Sequence, residues 1–276
     1  MMAPLDEQFH RALLAWRAEP YDGDTVVEHL VRIVRPNPQS AVELARGHLT
    51  AVQVDVQAVA YQLLAVAAEL GDQQVRTDVA SLVLEAYEDE SERDPDVLVG
   101  VVRALGSAQD PRGLPVLTAL AAHPDAGVRF RVAADLPMIM GDPPERDGVT
   151  ALIALAADPD PQIRDWATFG LGSQADADSE AVRQALWART GDAYADARDE
   201  AVVALARRRD AGVRPLVADL LSQPSVGTLI FEAAAHLKDP ALLPLLRRFD
   251  VADDDVRAAI EACDPGGSAG SGVAIP

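Results

Sequence analysis

Cysteine is nearly missing from this sequence. Cys263 is the only one in 276 residues, so no intrachain disulfide forms and nothing implies secretion. Lysine is as scarce: Lys238 is the sole example, the other cations are arginines, and the net charge is −20. A phosphate backbone is bound by neutralising it with Lys and Arg, so this balance disfavours nucleic acid and anionic membranes as partners. Apolar runs are short, none approaching the ~18 consecutive residues of a membrane span. The opening MMAPLDEQFHRALLAW has acids where a signal peptide needs a basic start. A cytoplasmic location is therefore expected. Aromatics make up only 4%, while apolar residues reach 49%, most of them Ala and Val. Small side chains suit helices packed in close layers better than one thick core. The richness in Ala, Val, Asp and Arg resembles the output of a high-GC bacterial genome.

Catalytic constellations are missing as well. His10, His29, His48, His123 and His236 stand 19 or more residues apart, too far for the close pair of a helix-borne metal site. There is no phosphate-cradling Gly-rich loop and no Gly-x-Ser-x-Gly elbow. Cys263 reads as a free thiol without a role, and the Asp253–Asp255 run as helix capping. The sequence thus predicts no enzyme, no metal and no cofactor.

What is present is repetition. The stretch from His123 to Leu171 states one phrase twice: Pro-Asp, a short spacer, an aliphatic residue followed by Arg, and a small-residue helix ending in Leu. A second apolar helix separates the copies. Aligning such helices on their last leucine gives Leu105, Leu136, Leu171, Leu205 and Leu237, at intervals of 31, 35, 34 and 32 residues. Eight positions earlier stand Val97, Val128, Ile163, Ala197 and Leu229, and four earlier stand Val101, Val132, Ala167, Ala201 and Ala233. These offsets share one helical face, so each copy buries the same seam. Companion helices follow at Leu114–Ala121, Val149–Ala156, Val182–Trp187, Val213–Leu221 and Leu242–Leu246. Asp-Pro pairs at 94–95, 110–111, 142–143, 158–159 and 239–240 place a capping carboxylate and a first-turn proline at the joints.

Two helices per period in the thirties predict an all-α chain, a right-handed α-solenoid of antiparallel helix pairs. Residues 1–53 read as N-terminal capping helices, with Asp24 or Thr25 capping the second and Ser40 starting the third. Residues 54–249 form the array, 250–263 a closing helix and 264–276 a Gly/Ser-rich flexible tail. Glu88–Arg93 reads as a solvated acidic loop.

The phrases DPDPQIRDWA (158–167), HPDAGVRFRVA (123–133) and, more weakly, ADARDEAVVAL (195–205) resemble HEAT repeats, in particular the short bacterial type named after phycobilisome lyases. The resemblance implies an ARM-like superhelix whose Val-Arg helices line a concave face. It also implies an Asp–Arg ladder, here Arg129, Arg164 and Arg198 with Asp125, Asp160 and Asp196, interrupted by Leu98 and Ile230 at the Arg slot of the outer copies. The metalloenzyme branch, of deoxyhypusine hydroxylase type, carries repeated His-Glu pairs, and this chain has no His-Glu dipeptide.

The second and third positions after each seam aliphatic lie off the buried stripe and are expected to face the groove. They supply Phe130, Arg131, Asp165, Trp166, Asp199, Glu200 and Phe231 as partner-binding candidates. Two readings of the rings stand: anchors for a partner ~10 Å apart, or filling between helix layers. Met138 and Met140 extend the same stretch. The leading functional reading is a non-enzymatic scaffold or adaptor that binds another protein or peptide, of basic character, in the groove. The alternatives are a chromophore-lyase-like or other cofactor-handling accessory, and a HEAT-like DNA glycosylase, for which Asp165 and Trp166 give a faint echo and the acidity argues the other way.

Overall fold

The structure, a computed structural model, describes residues 5–87 and 93–264. The tail from residue 265 and the acidic run at 88–92 lie outside the described residues. The chain divides between Leu155 and Ala156 into two compact units. Each is all-α among its described residues, a stack of helix pairs of the solenoid class.

The first unit holds α1 (Leu5–Trp16), α2 (Gly23–Val34), α3 (Pro38–Arg46), α4 (Val54–Leu70), α5 (Gln73–Tyr87), α6 (Pro95–Ala108), α7 (Leu114–Leu120), α8 (Ala126–Asp135) and α9 (Arg146–Leu155). Helices α2, α4, α6 and α8 stack in one layer; α3, α5, α7 and α9 pair with them in a second. Helix α4 is the centre. Its run from Ala58 to Ala68 is buried all round, which a helix tolerates only when neighbours cover every face. One of those neighbours approaches through Gly100 of α6, where an added Cβ would stand 2.7 Å from Cβ of the buried Tyr61. Any larger residue would push the two helices apart.

Caps differ in detail from the sequence reading. Asp22, not Asp24 or Thr25, accepts from the amides that open α2, and Asn37 with Pro38 starts α3 ahead of Ser40. Asp94-Pro95 caps α6 as expected. Asp142-Pro143 caps nothing, because α9 begins only at Arg146.

The second unit holds α10 (Pro161–Phe169), α11 (Glu180–Arg189), α12 (Ala195–Arg207), α13 (Val213–Leu221), α14 (Thr228–Leu237), α15 (Leu243–Leu246) and α16 (Asp254–Cys263). Helices α10, α12, α14 and α16 stack in sequence; α11, α13 and α15 each pair with the seam helix that follows. Of the two Asp-Pro pairs in DPDP, the second is the cap: Asp160 accepts from the amide of Gln162 and Pro161 fills the first turn. After α10 the chain widens through Gly170–Gln174. Arg208 holds that loop, its guanidinium donating to the carbonyls of Leu171 (2.7 Å), Gly172 (3.2 Å) and Ala177 (2.8 Å).

The seams of α6, α8, α10 and α12 bury the residues the alignment chose, down to Leu105, Leu136, Leu171 and Leu205. In α14 the register is different. Leu229 and Leu237 are half-buried, while Ile230, Phe231, Ala233 and Ala234 are the buried set. Helix α16 covers this side, and Cys263 sits in that contact with its thiol donating to the Ala234 carbonyl at 3.4 Å. Burial raises the Cys263 pKa, which keeps the group a protonated packing residue.

Candidate functional site

The arginines of the repeated phrase are the natural starting point. Arg164 of α10 reaches back to the carbonyls of Asp158 (3.0 Å) and Pro159 (3.1 Å). Arg129 does the same in the first unit, to His123 and Pro124, both at 2.9 Å. Each therefore staples the joint that precedes its own helix. Arg164 then grips Asp192, in the joint of the next repeat, through two bonds of 2.7 and 2.8 Å. Arg189 adds a third at 2.9 Å. These bonds, led by the one from Arg164, hold the Asp192 carboxyl down at about 2 although burial opposes it.

The ladder therefore uses acids other than those assigned by resemblance. Asp125 and Asp160 are spent on capping their own helices, and Asp196 hydrogen-bonds Tyr194. A cap sits too close to the helix start to reach a neighbour's guanidinium. In the following repeat Pro224 occupies the slot of Asp192, and Arg198 turns to the adjacent Asp199 at 2.8 Å.

The seven residues proposed from the sequence fall into three groups. Phe130 and Arg131 lie half-buried on α8 in the first unit. Arg131 is committed to Asp135, one turn on, whose carboxyl is pushed up to about 6 by burial against the pull of Arg131 and Arg103. Asp199 and Phe231 are buried, at 6% and 4% exposure, so the expectation that they face outward is corrected. Asp199 packs against Gly227, where a Cβ would meet its Oδ2 at 2.7 Å. Phe231 meets Phe249 edge-on at 5.0 Å, which is core packing.

The third group is Asp165, Trp166 and Glu200, on the face of α10, α12 and α14. Trp166 is 39% exposed and stands edge-on to Phe169 at 6.1 Å. Asp165 is half-buried; burial first, then Asp196, pushes its carboxyl up to about 6. Glu200 is pushed up to about 7, by burial first and then by Asp165 and Glu232. Neither makes a hydrogen bond or ion pair among the described residues. Glu232 does, accepting from Arg207 at 3.1 Å and lying 3.2 Å from His236 Nε2. Arg207 and His236 belong to this face and escaped the sequence reading, and Asp196, which that reading gave to the ladder, lies here as well. The Glu232/His236 spacing of one helical turn was the available signal.

The residues of α8, α10 and α12 that repeat the Val-Arg phrase now have their structural roles, and comparison with known proteins agrees. Residues 81–172 match the model of HEAT repeats. That stretch is similar to HEAT repeats. Protein YibA of Escherichia coli strain K12 is 31% identical over 116 residues, which is 42% of this chain and 41% of YibA. The matched stretch thus spans less than half of that curated relative. The X-ray structure of YibA aligns with a TM-score of 0.68 over 96% of this chain and 97% of that one, at 19% identity. Crystal structures of Kap121p bound to Ste12p and to Nup53p align at a TM-score of 0.57 and 10% identity, covering 95% of this chain and 33% of Kap121p. At those identities the structural likenesses show the fold alone. Among the described residues no helix is long and apolar enough to cross a membrane, and no group of three or more His, Cys, Asp or Glu residues could hold a metal ion.

Proposed function

We propose that this chain is a non-enzymatic interaction module that holds a cationic segment of another protein on the α10–α12–α14 face. One observation carries the reading: an exposed tryptophan on a packed helix, next to half-buried carboxylates that form no hydrogen bond or ion pair among the described residues. Burying Asp165 and Glu200 without a counter-ion disfavours the ionised forms, and an arriving Lys or Arg relieves that penalty. The indole offers such a cation a π face, worth ~0.5–2 kcal/mol according to desolvation. The charge of −20 favours encounter with a basic partner over an acidic one. Kap121p, similar in fold, is known bound to the proteins Ste12p and Nup53p, which supports holding a protein as a use of this architecture.

The test is comparative capture from native lysate. Wild type should retain a protein with a Lys/Arg-rich segment, and Trp166→Ala should lose it with helicity unchanged by circular dichroism. Asp219→Asn, at an exposed position on α13, should retain it. Equal retention by wild type, Trp166→Ala and the charge reversal Glu200→Lys would refute the assignment.

A further inference from the structure

Within the second unit, the widened turn after α10 and the end of α12 enclose a cavity of about 530 Å³, walled by Gly172–Ala175 and Arg207–Arg209. In a chain of net charge −20 this wall is rich in arginine. Arg208 is buried in it, with 9% of its side chain exposed. The bonds from its Nε, Nη1 and Nη2 all end on main-chain carbonyls, those of Leu171, Gly172, Ala177 and Ala204. Carbonyls satisfy its donors, but they are dipoles and leave its charge unmatched. The Asp178 carboxylate is 4.0 Å away and is already held by Arg183, through bonds of 2.7 and 2.6 Å. Arg183 also takes Asp210, at 3.0 Å, and Arg207 turns to Glu232 and His236. Arg209 comes next. It lines the cavity, is exposed, and its guanidinium makes no hydrogen bond or ion pair among the described residues. Its backbone is left-handed, with φ 51°, in the turn that closes α12 through the Arg209 amide to Ala206 (2.9 Å) and the Asp210 amide to Leu205 (3.0 Å). Glycine is the usual occupant of such a position.

We propose that this cavity binds a small organic carboxylate, gripped by Arg209 and attracted by the buried charge of Arg208. The proposal is independent of the partner reading above. A free guanidinium presents parallel N–H donors that match a planar carboxylate. A cation withdrawn from water and facing only dipoles gains from an anion brought alongside, because the protein wall screens that attraction weakly. Ser173 and Gln174, whose side chains make no hydrogen bond among the described residues, add donors to the lining. Asp176 limits the charge the site accepts. It lines the same cavity, is exposed and has no ion pair among the described residues, so it repels a dianion more than a monoanion. A single carboxylate is thereby favoured over a phosphate monoester. The volume lies within the ~300–1,000 Å³ of small-molecule sites and leaves room for an organic body beyond the carboxylate.

The probe is N-acetylglycine, a monoanion, titrated into the isotope-labelled full chain and followed by amide NMR. N-acetylglycinamide is its neutral counterpart and inorganic phosphate the rival oxyanion. N-acetylglycine should give saturable shifts at Gly172, Ser173, Gln174 and Arg209, and the neutral amide none. Arg209→Gly keeps the left-handed turn without a side chain, so it should melt no lower than wild type and bind roughly tenfold more weakly, the loss of a charge-assisted contact. Arg209→Gln should lose binding equally, since glutamine tolerates this backbone at Gln109, which ends α6 with φ 53°. Arg248→Gln, the same charge change at an exposed position after α15, should bind as wild type does. Asp176→Asn should bind roughly twofold more tightly. Shifts that survive in both Arg209 variants, shifts shared by the neutral amide, or no saturable shift in wild type overturns the site. An Asp176→Asn variant that binds no tighter, or phosphate binding more tightly than N-acetylglycine, overturns the assignment to a single carboxylate.

Discussion

Arg164 and Asp165 are neighbours on α10, and they meet α12 and the joint before it in opposite ways. Arg164 finds Asp192 and holds it at about 2; one residue later, Asp165 finds Glu200 and helps to push it up to about 7. Both acids are withdrawn from water, so burial acts on them in the same direction. The sign of the outcome is decided by what the preceding repeat delivers, a guanidinium in one place and a carboxylate in the other. The first arrangement ties one repeat to the next. The second works against the fold and is kept on an exposed face beside Trp166, where such uncompensated charge belongs to a binding surface more naturally than to a joint.

The sharpest way to break this contrast is Asp192→Ala. It leaves Arg164 and Arg189 facing an empty joint, and removing one partner of a pair this buried, with Asp192 at 3% side-chain exposure, costs about 3–5 kcal/mol. Urea denaturation should show that loss, and Arg164→Met most of it. Because the folded pKa of Asp192 lies below its unfolded value, its contribution is present above pH ~4 and disappears as pH falls through about 2. A Glu200→Ala variant as damaging as Asp192→Ala would erase the distinction between joint and face.

Glu200→Gln should do the reverse of Asp192→Ala and by less. The folded pKa of Glu200 is raised, so its favourable contribution is complete below pH ~4.5 and is lost as pH rises through about 7. Glutamine never acquires the charge. The variant should match wild type at about pH 4.5 and exceed it by about 1 kcal/mol at about pH 8, the figure being discounted for solvent screening of a half-buried group. A destabilised Glu200→Gln across that whole range would mean that the carboxylate is satisfied and that the face stores no electrostatic penalty.

Much of this was legible in the residues, and the failures have physical causes. Period, seam and joint emerged because small and branched side chains at offsets of four and eight admit one helical face. The last repeat misled because Leu229, Ile230, Phe231 and Leu237 offer two apolar registers, and the choice is made by α16, which covers Ile230 and Phe231. DPDP offered two caps, and only the turn geometry selects Asp160. Asp165, Trp166 and Glu200 could be found from their offset past the seam, which puts them on the flank of the stripe. That the same offset buries Asp199 follows from Arg198 and Gly227, tertiary neighbours that a spacing rule does not contain. The partner of Arg164 was hidden for a similar reason: Asp192 lies 28 residues away, and the nearer Asp160 was already committed to its cap.

The smallest effect is the most discriminating. Asp165→Asn removes a carboxyl raised to about 6 and, with it, the charge that acts most strongly on Glu200. Its own stability gain above neutral pH should be slightly below that of Glu200→Gln, since the two carboxyls are raised by similar amounts and Asp165 is the less buried. Its effect on its neighbour is the informative quantity. If the two acids share one crowded site, the Glu200 carboxyl, followed by carbon NMR of the side chain, should titrate below about 7 in Asp165→Asn while Asp192 stays near 2. The double variant Asp165→Asn with Glu200→Gln should then gain less than the sum of the two, because each neutralisation already relieves the repulsion felt by the other. Additive gains and an unmoved Glu200 titration would show two separate acids raised by burial alone, and the contrast with Asp192 would reduce to the presence or absence of Arg164.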